Sequence, residues 1–224
     1  SDDTILVLAT CDSIRVKGKI DPAEMQQRFE NWLFEGAYTP DGLTFDVGNA
    51  TREALTRGHG LSDEYSNGNG SLMRILPLAF TEAGPSDIEA VSSITHAHAT
   101  SVEACQLYVD IARRLLKGRQ LSELLSCLET STTYARLQTL AELTEDDIRS
   151  SGYVVDTLEA ALWCLLTSAS YPETVLKAVN LGDDTDTVAA VAGGLAGIIY
   201  GLEGIPDNWL AQLRHKELLE SCLF

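Results

Sequence analysis

The chain has 224 residues, with 33 Asp and Glu against 16 Lys and Arg, a formal net charge of −17; general affinity for nucleic-acid backbones, which calls for Lys and Arg, is argued against. Hydrophobic residues make up 45%, enough for a large core in one domain or at most two, yet no apolar run reaches the roughly 18 residues of a membrane span and no secretory leader is visible, which fits a soluble cytoplasmic protein. The five cysteines, Cys11, Cys105, Cys127, Cys164 and Cys222, are odd in number and form no C-x-x-C pair, so reduced thiols, mostly in the core, are expected rather than a disulfide framework or a zinc site.

In chain order, an apolar stretch of helical length spans 4–17. Asp21-Pro22-Ala23-Glu24 then starts a helix to about Phe34, with Asp as cap, Pro in the first turn and Glu at the third position. Residues 36–48 read as a loop, 49–58 as a short helix and 58–70 as a second, glycine-containing loop. Apolar spacings of three and four predict helices over 71–83, 86–95, 101–117, 121–129 and 132–143. An acidic link, 144–150, leads to a helix over 156–169, and Tyr171-Pro172-Glu173 starts another that ends near Asn180. The last helices are expected over 187–200 and about 206–219. With no strand pattern and no long linker, the expectation is an all-α, single-domain fold with short connections. Gly193, Gly197 and Gly201 recur every four residues after Ala189; glycine costs a helix roughly 1 kcal/mol against alanine, so this face predicts close helix packing.

Two segments concentrate oxygen chemistry. Gly182-Asp183-Asp184-Thr185-Asp186-Thr187 places three carboxylates and two hydroxyls before an apolar helix, and Ser1-Asp2-Asp3 repeats the theme at the start of the chain. Asp and Thr are common helix caps and acids suit helix N-termini, so capping is the commoner reading of either alone. Crowded like charges are costly unless a cation is shared, and hard divalent ions prefer such oxygen ligands. Taken as a pair, the two clusters favour a metal centre.

Three further segments carry candidate groups. Phe45-Asp46-Val47-Gly48-Asn49 holds a carboxylate in a loop, open to either an Asx turn or a reactive role. Asn67-Gly68-Asn69-Gly70, ahead of a helix expected to open at Ser71, is a turn or a backbone cradle for a diphosphate. Arg74 either neutralises phosphate or pairs with a nearby acid. In Thr95-His96-Ala97-His98 the spacing of two does not place both histidines on one helix face, and a structural histidine is the default. Tyr153 reads as a packed aromatic or a pocket residue.

In this order, these segments resemble the ADP-ribosylglycohydrolase family, whose bacterial members include the dinitrogenase reductase-activating glycohydrolase; Gly152-Tyr153-Val154-Val155 to Trp163 also looks like that family. The resemblance covers nearly the whole chain. It implies an all-α orthogonal helical bundle with two divalent cations, Mg²⁺ or Mn²⁺, and hydrolysis of the bond between ADP-ribose and a protein side chain, often arginine. By the resemblance, Ser1, Asp2, Asp3, Asp184, Asp186 and Thr187 are metal ligands. Gly48, Ser66, Asn67, Gly68, Asn69, Gly70, His96 and Tyr153 contact ADP-ribose, and Asp46 lies beside the reacting ribose as the candidate catalytic acid. Asp183 stands where the family commonly has glycine and is not taken as a ligand. A helix with a G-D-A-x-G-like motif and an acid normally precedes the first metal segment, and here the chain begins at Ser1; this resembles the family domain without its first helix. The alternative function is a catalytically inactive ADP-ribose-binding or crystallin-like relative. The implied partners are an ADP-ribosylated protein or ADP-ribose, with neither nucleic acid nor membrane.

Overall fold

A computed structural model describes all 224 residues. Eleven α-helices follow one another: α1 Asp2–Lys17, α2 Pro22–Glu35, α3 Asn49–Arg57, α4 Pro85–Ser92, α5 Ala99–Leu116, α6 Leu121–Ser126, α7 Val154–Leu166, α8 Tyr171–Asn180, α9 Thr185–Tyr200, α10 Asp207–Gln212 and α11 Lys216–Cys222. Extended pairing is limited to one isolated bridge between Leu61 and His96. The all-α expectation holds. The chain forms two compact units, one of residues 1–106 and 213–224, the other of residues 107–212.

In the first unit α1 packs on α2 and α11. Helix α1 is buried on several sides, at Ile5, Leu6, Leu8, Ala9, Cys11 and Ile14 among others, which makes it central there. Helix α2 is amphipathic instead. Met25, Phe29, Trp32 and Leu33 are buried at the spacing of one helix face. Asp21 caps it through its carboxylate, which accepts from the Glu24 N–H at 3.2 Å. Two short 3-10 helices, Leu72–Arg74 and Leu76–Phe80, replace the α-helix expected over 71–83. Pro77 lacks an N–H and its ring crowds the preceding turn, so this buried segment runs in tight three-residue turns.

In the second unit α7, α8 and α9 pack on one another. Helix α7 is buried almost throughout, and the Tyr108 hydroxyl donates to the Val191 carbonyl at 2.8 Å. Ser170 caps α8 by accepting from the Glu173 N–H. Residues Thr132–Glu142 form a 3-10 helix, not an α-helix; its buried residues are Tyr134, Leu137 and Leu140, a spacing of three that matches three residues per turn. The small-residue face of α9 is only partly a packing face. A methyl on Gly193 would meet the Tyr171 hydroxyl at 3.4 Å and Val175 at 3.5 Å, whereas one on Gly197 would meet nothing within 4 Å. Gly201 ends the helix at φ 66°. The helix expected over 206–219 is split into α10 and α11 around His215, which takes a left-handed φ of 54°.

Candidate functional site

In the first unit, Ser1 precedes α1 and Asp2 and Asp3 lie in its first turn. This is the favourable end of the helix for acids. Both carboxylates are nonetheless buried, at 8% and 4% exposure. The Ser1 hydroxyl donates to Asp3 Oδ2 at 2.8 Å. Burial, then the neighbouring carboxylates of Asp3 and Asp46, push the Asp2 carboxyl up from 3.8 to about 7, opposed by a hydrogen bond from the Gly48 N–H. The loop that carries Asp46 and Gly48 is therefore folded onto the start of α1. Asp46 itself is exposed and sits at φ 58°, a left-handed conformation that Asp tolerates better than most residues.

The second loop of this unit is built from its own side chains. Asp63 accepts from the Tyr65 N–H and the Ser66 hydroxyl. The Asn67 amide donates to the Glu64 carbonyl and accepts from the Ser101 hydroxyl. Ser66, Asn67 and Asn69 are all buried. No α-helix opens at Ser71, so the expectation of a diphosphate held at a helix N-terminus is corrected: only a three-residue 3-10 turn follows. What remains is a glycine loop pressed against two side chains. A methyl on Gly70 would lie 2.8 Å from His96 Cε1 and 2.8 Å from Thr51 Oγ1.

His96 is 1% exposed and stands between α4 and α5. Burial, then the Arg74 charge, push its pKa down to about 3, so the ring is neutral. Arg74 does not pair with an acid. Its guanidinium is fully buried, donates to the Val91 carbonyl at 3.2 Å and the Thr95 hydroxyl at 2.8 Å, and lies 4.6 Å over the Phe29 ring. Burial lowers its pKa to about 10, leaving it charged at neutral pH. The structure thus brings together Asp2, Asp3, Asp46 and Gly48 at one place, and Gly70, His96 and Thr51 at another, within the same unit. Thr51 and Thr95 escaped the sequence reading. Thr95 stood beside a singled-out histidine, and that adjacency was its one signal.

In the second unit, Asp184 is the residue before α9, with Asp186 exposed and Thr187 buried in the first turn. The Asp184 N–H donates to the Ser150 carbonyl at 3.0 Å, and the Ser150 hydroxyl donates to the Gly182 carbonyl at 3.0 Å. Gly182 at φ 92° and Asp183 at φ 52° turn the chain into α9. A methyl on Gly152 would lie 3.2 Å from Asp184 Oδ2, so residues 150–152 wall this cluster. Tyr153 is 43% exposed and precedes α7 as its cap residue; burial, then Asp156, raises its phenol pKa. Nowhere in the chain are three or more histidine, cysteine, aspartate or glutamate side chains gathered into a group that could hold a metal ion. The hydroxyls of Ser1 and Thr187 belong to the same oxygen sets.

The helical fold, with oxygen-rich clusters at the starts of α1 and α9, matches known proteins along its whole length. A family model described as ADP-ribosylglycohydrolase matches residues 1–223, and the chain belongs to that family. It is 37% identical to the ADP-ribosylarginine hydrolase Tri1 of Pseudomonas putida over all of this chain and 66% of that protein. It is 32% identical to the ADP-ribosyl-(dinitrogen reductase) glycohydrolase of Rhodospirillum rubrum over 96% of this chain and 74% of that one. A solved ADP-ribosylglycohydrolase-related protein complex superposes with a TM-score of 0.80 at 30% identity, covering 99% of this chain and 79% of its own. The chain therefore spans about two thirds of the P. putida relative, at 66% of its length. No helix is long and apolar enough to cross a membrane.

Proposed function

We propose that the protein is a metal-dependent hydrolase that removes ADP-ribose from modified arginine side chains. Membership of the family and the names of the two relatives, each an ADP-ribose-removing hydrolase, support the reaction class and the arginine linkage. The single structural observation that carries the reading is the burial of Asp2 and Asp3 with Asp46 close by, which drives the Asp2 carboxyl up to about 7. Burying several acids without a cation is unfavourable, and the donor set of carboxylates and a hydroxyl suits Mg²⁺ or Mn²⁺.

Ser1, Asp2 and Asp3 would offer cation ligands at the start of α1, and Asp184, Asp186 and Thr187 would offer cation ligands at the start of α9. When bound, divalent cations supply Lewis-acid polarisation and a more acidic water. The chain's own residues do the rest. The Gly48 N–H steadies the Asp2 carboxylate. Asp46, exposed on its loop, would give a proton to the departing guanidine nitrogen as the bond from the anomeric carbon breaks, and the water that adds to that carbon would return a proton to the carboxylate. The Asn67–Gly70 loop with Gly48, Ser66 and His96 takes the diphosphate and adenosine, and Tyr153 offers an exposed ring for a further contact.

Replacing Asp184 or Asp186 by Asn tests the reading. Cation affinity, followed by calorimetry, and ADP-ribose release should fall together. Release that persists unchanged in both variants contradicts the metal assignment.

A further inference from the structure

Arg74 is a buried cation whose partners are a carbonyl, a hydroxyl and an aromatic face, with no carboxylate among them. Such a group is costly to keep, and its one side-chain hydrogen-bond partner leads to the candidate site. Arg74 Nη2 donates to Thr95 Oγ1 at 2.8 Å, and Thr95 Oγ1 lies 2.8 Å from His96 Nδ1. A guanidinium only donates. Thr95 is fully buried, and His96 Nδ1 is the one acceptor beside its hydroxyl. If Nδ1 carried the proton, the threonine oxygen would receive two donors and its own proton would have no acceptor. The Thr95 hydroxyl is satisfied only when Arg74 donates to it, it donates to Nδ1, and the ring proton sits on Nε2.

The rest of His96 is held as firmly. Its N–H donates to the Ser92 carbonyl at 2.9 Å, and its carbonyl accepts from the Ser92 hydroxyl at 3.0 Å. That carbonyl can only accept, so the Ser92 proton is committed to it. Ser71 Oγ, 3.0 Å from Ser92 Oγ, then donates to Ser92, and the Cys105 thiol at 3.4 Å donates to Ser71. Leu61 clamps the flanking backbone by donating to the Thr95 carbonyl and accepting from the Ala97 N–H. The Cε1–Nε2 edge of the ring is packed against Gly70, the last residue of the glycine loop.

We propose that Arg74 and Thr95 are positioning residues that hold the buried His96 imidazole as its neutral Nε2–H tautomer, so that the ring presents a hydrogen-bond donor on its Gly70 side to an oxygen of the ADP-ribose held by that loop. The ligand in this statement rests on the function proposed above; the tautomer does not.

The test is a long-range ¹H–¹⁵N NMR correlation of the ligand-free protein, with His96 assigned by loss of its signals in His96→Gln. Wild type should show Nδ1 unprotonated and Nε2 protonated. Thr95→Val, which keeps the shape and removes the hydroxyl, should replace this by a mixture or by the Nδ1–H form, and Thr95→Ser should restore it. By calorimetry with ADP-ribose itself, Thr95→Val should bind about five- to tenfold more weakly and Thr95→Ser within about twofold of wild type, the scale of one hydrogen bond. An Nδ1–H ring in the wild type overturns the relay, and that measurement needs no variant to fold. An unchanged tautomer in a folded Thr95→Val protein overturns it equally. The expected tautomers with no ADP-ribose binding by wild type would leave the relay standing and overturn the proposed substrate.

Discussion

Asp46 and Asp2 are set against each other: the exposed loop carboxylate of Asp46 acts on the buried carboxylate at the start of α1 and helps to hold it up at about 7, behind the larger effects of burial and Asp3. The pairing ties the candidate acid, a residue of left-handed backbone at φ 58°, to a candidate metal ligand.

This relationship fixes the sign of a pH effect. The Asp2 carboxyl rises from 3.8 to about 7 on folding, so between those values the folded chain binds more protons than the unfolded one. The contribution of Asp2 to stability in the absence of metal therefore falls as pH rises from about 4 to about 7. In thermal melting in EDTA at about pH 5 and about pH 8, wild type should lose stability relative to Asp2→Asn on going to the higher pH. Adding Mn²⁺ at the higher pH should raise the wild-type melting temperature more than that of the variant, because a ligand stabilises only the state that binds it.

Gly70 is a steric prediction. It does not have a positive φ, so Gly70→Ala is resisted by space alone, at His96 Cε1 and Thr51 Oγ1. Both neighbours are buried and have little room to retreat. The variant should lose about 1–3 kcal/mol of stability in urea unfolding and bind ADP-ribose more weakly. Wild-type behaviour in both measurements would mean that the ring and the loop are not in contact.

On α9 the same substitution should have different effects at two positions one turn apart. Gly197 faces open space, so Gly197→Ala should gain about 0.5–1 kcal/mol from helix propensity. At Gly193 the new methyl meets Tyr171 and Val175 of α8, which should cancel much or all of that gain. Paired chemical denaturation of the two variants checks the difference.

That contrast also shows what the sequence could and could not express. The period of small residues on α9 was legible, but not which of them faces a neighbour. Helix α2 was readable to within a residue, because the cap, the proline and the apolar stripe at Met25, Phe29, Trp32 and Leu33 all agree. The segment from Leu72 to Phe80 was misread as an α-helix because hydrophobicity alone does not report turn tightness; Pro77 was the available signal. At Tyr134, Leu137 and Leu140 a strict spacing of three was the mark of a 3-10 helix.

The candidate site divides in a similar way. Its carboxylates were visible as runs of like charge, Ser1-Asp2-Asp3 and Asp183-Asp184-Thr185-Asp186. The meeting of Asp46 with Asp2 was not, since the 43 residues between them give no local pattern that pairs them. Nor could the sequence show that Arg74 lacks an acid: a guanidinium's partners are set by packing, here Val91, Thr95 and Phe29.

The measurement that bears most directly on the central claim is release of free ADP-ribose from an ADP-ribosyl-arginine substrate by the 224-residue chain, with Mg²⁺ or Mn²⁺ and then with EDTA. Metal-dependent release that EDTA abolishes is the predicted result. Release that continues unchanged in EDTA, or no release with either metal, would contradict it.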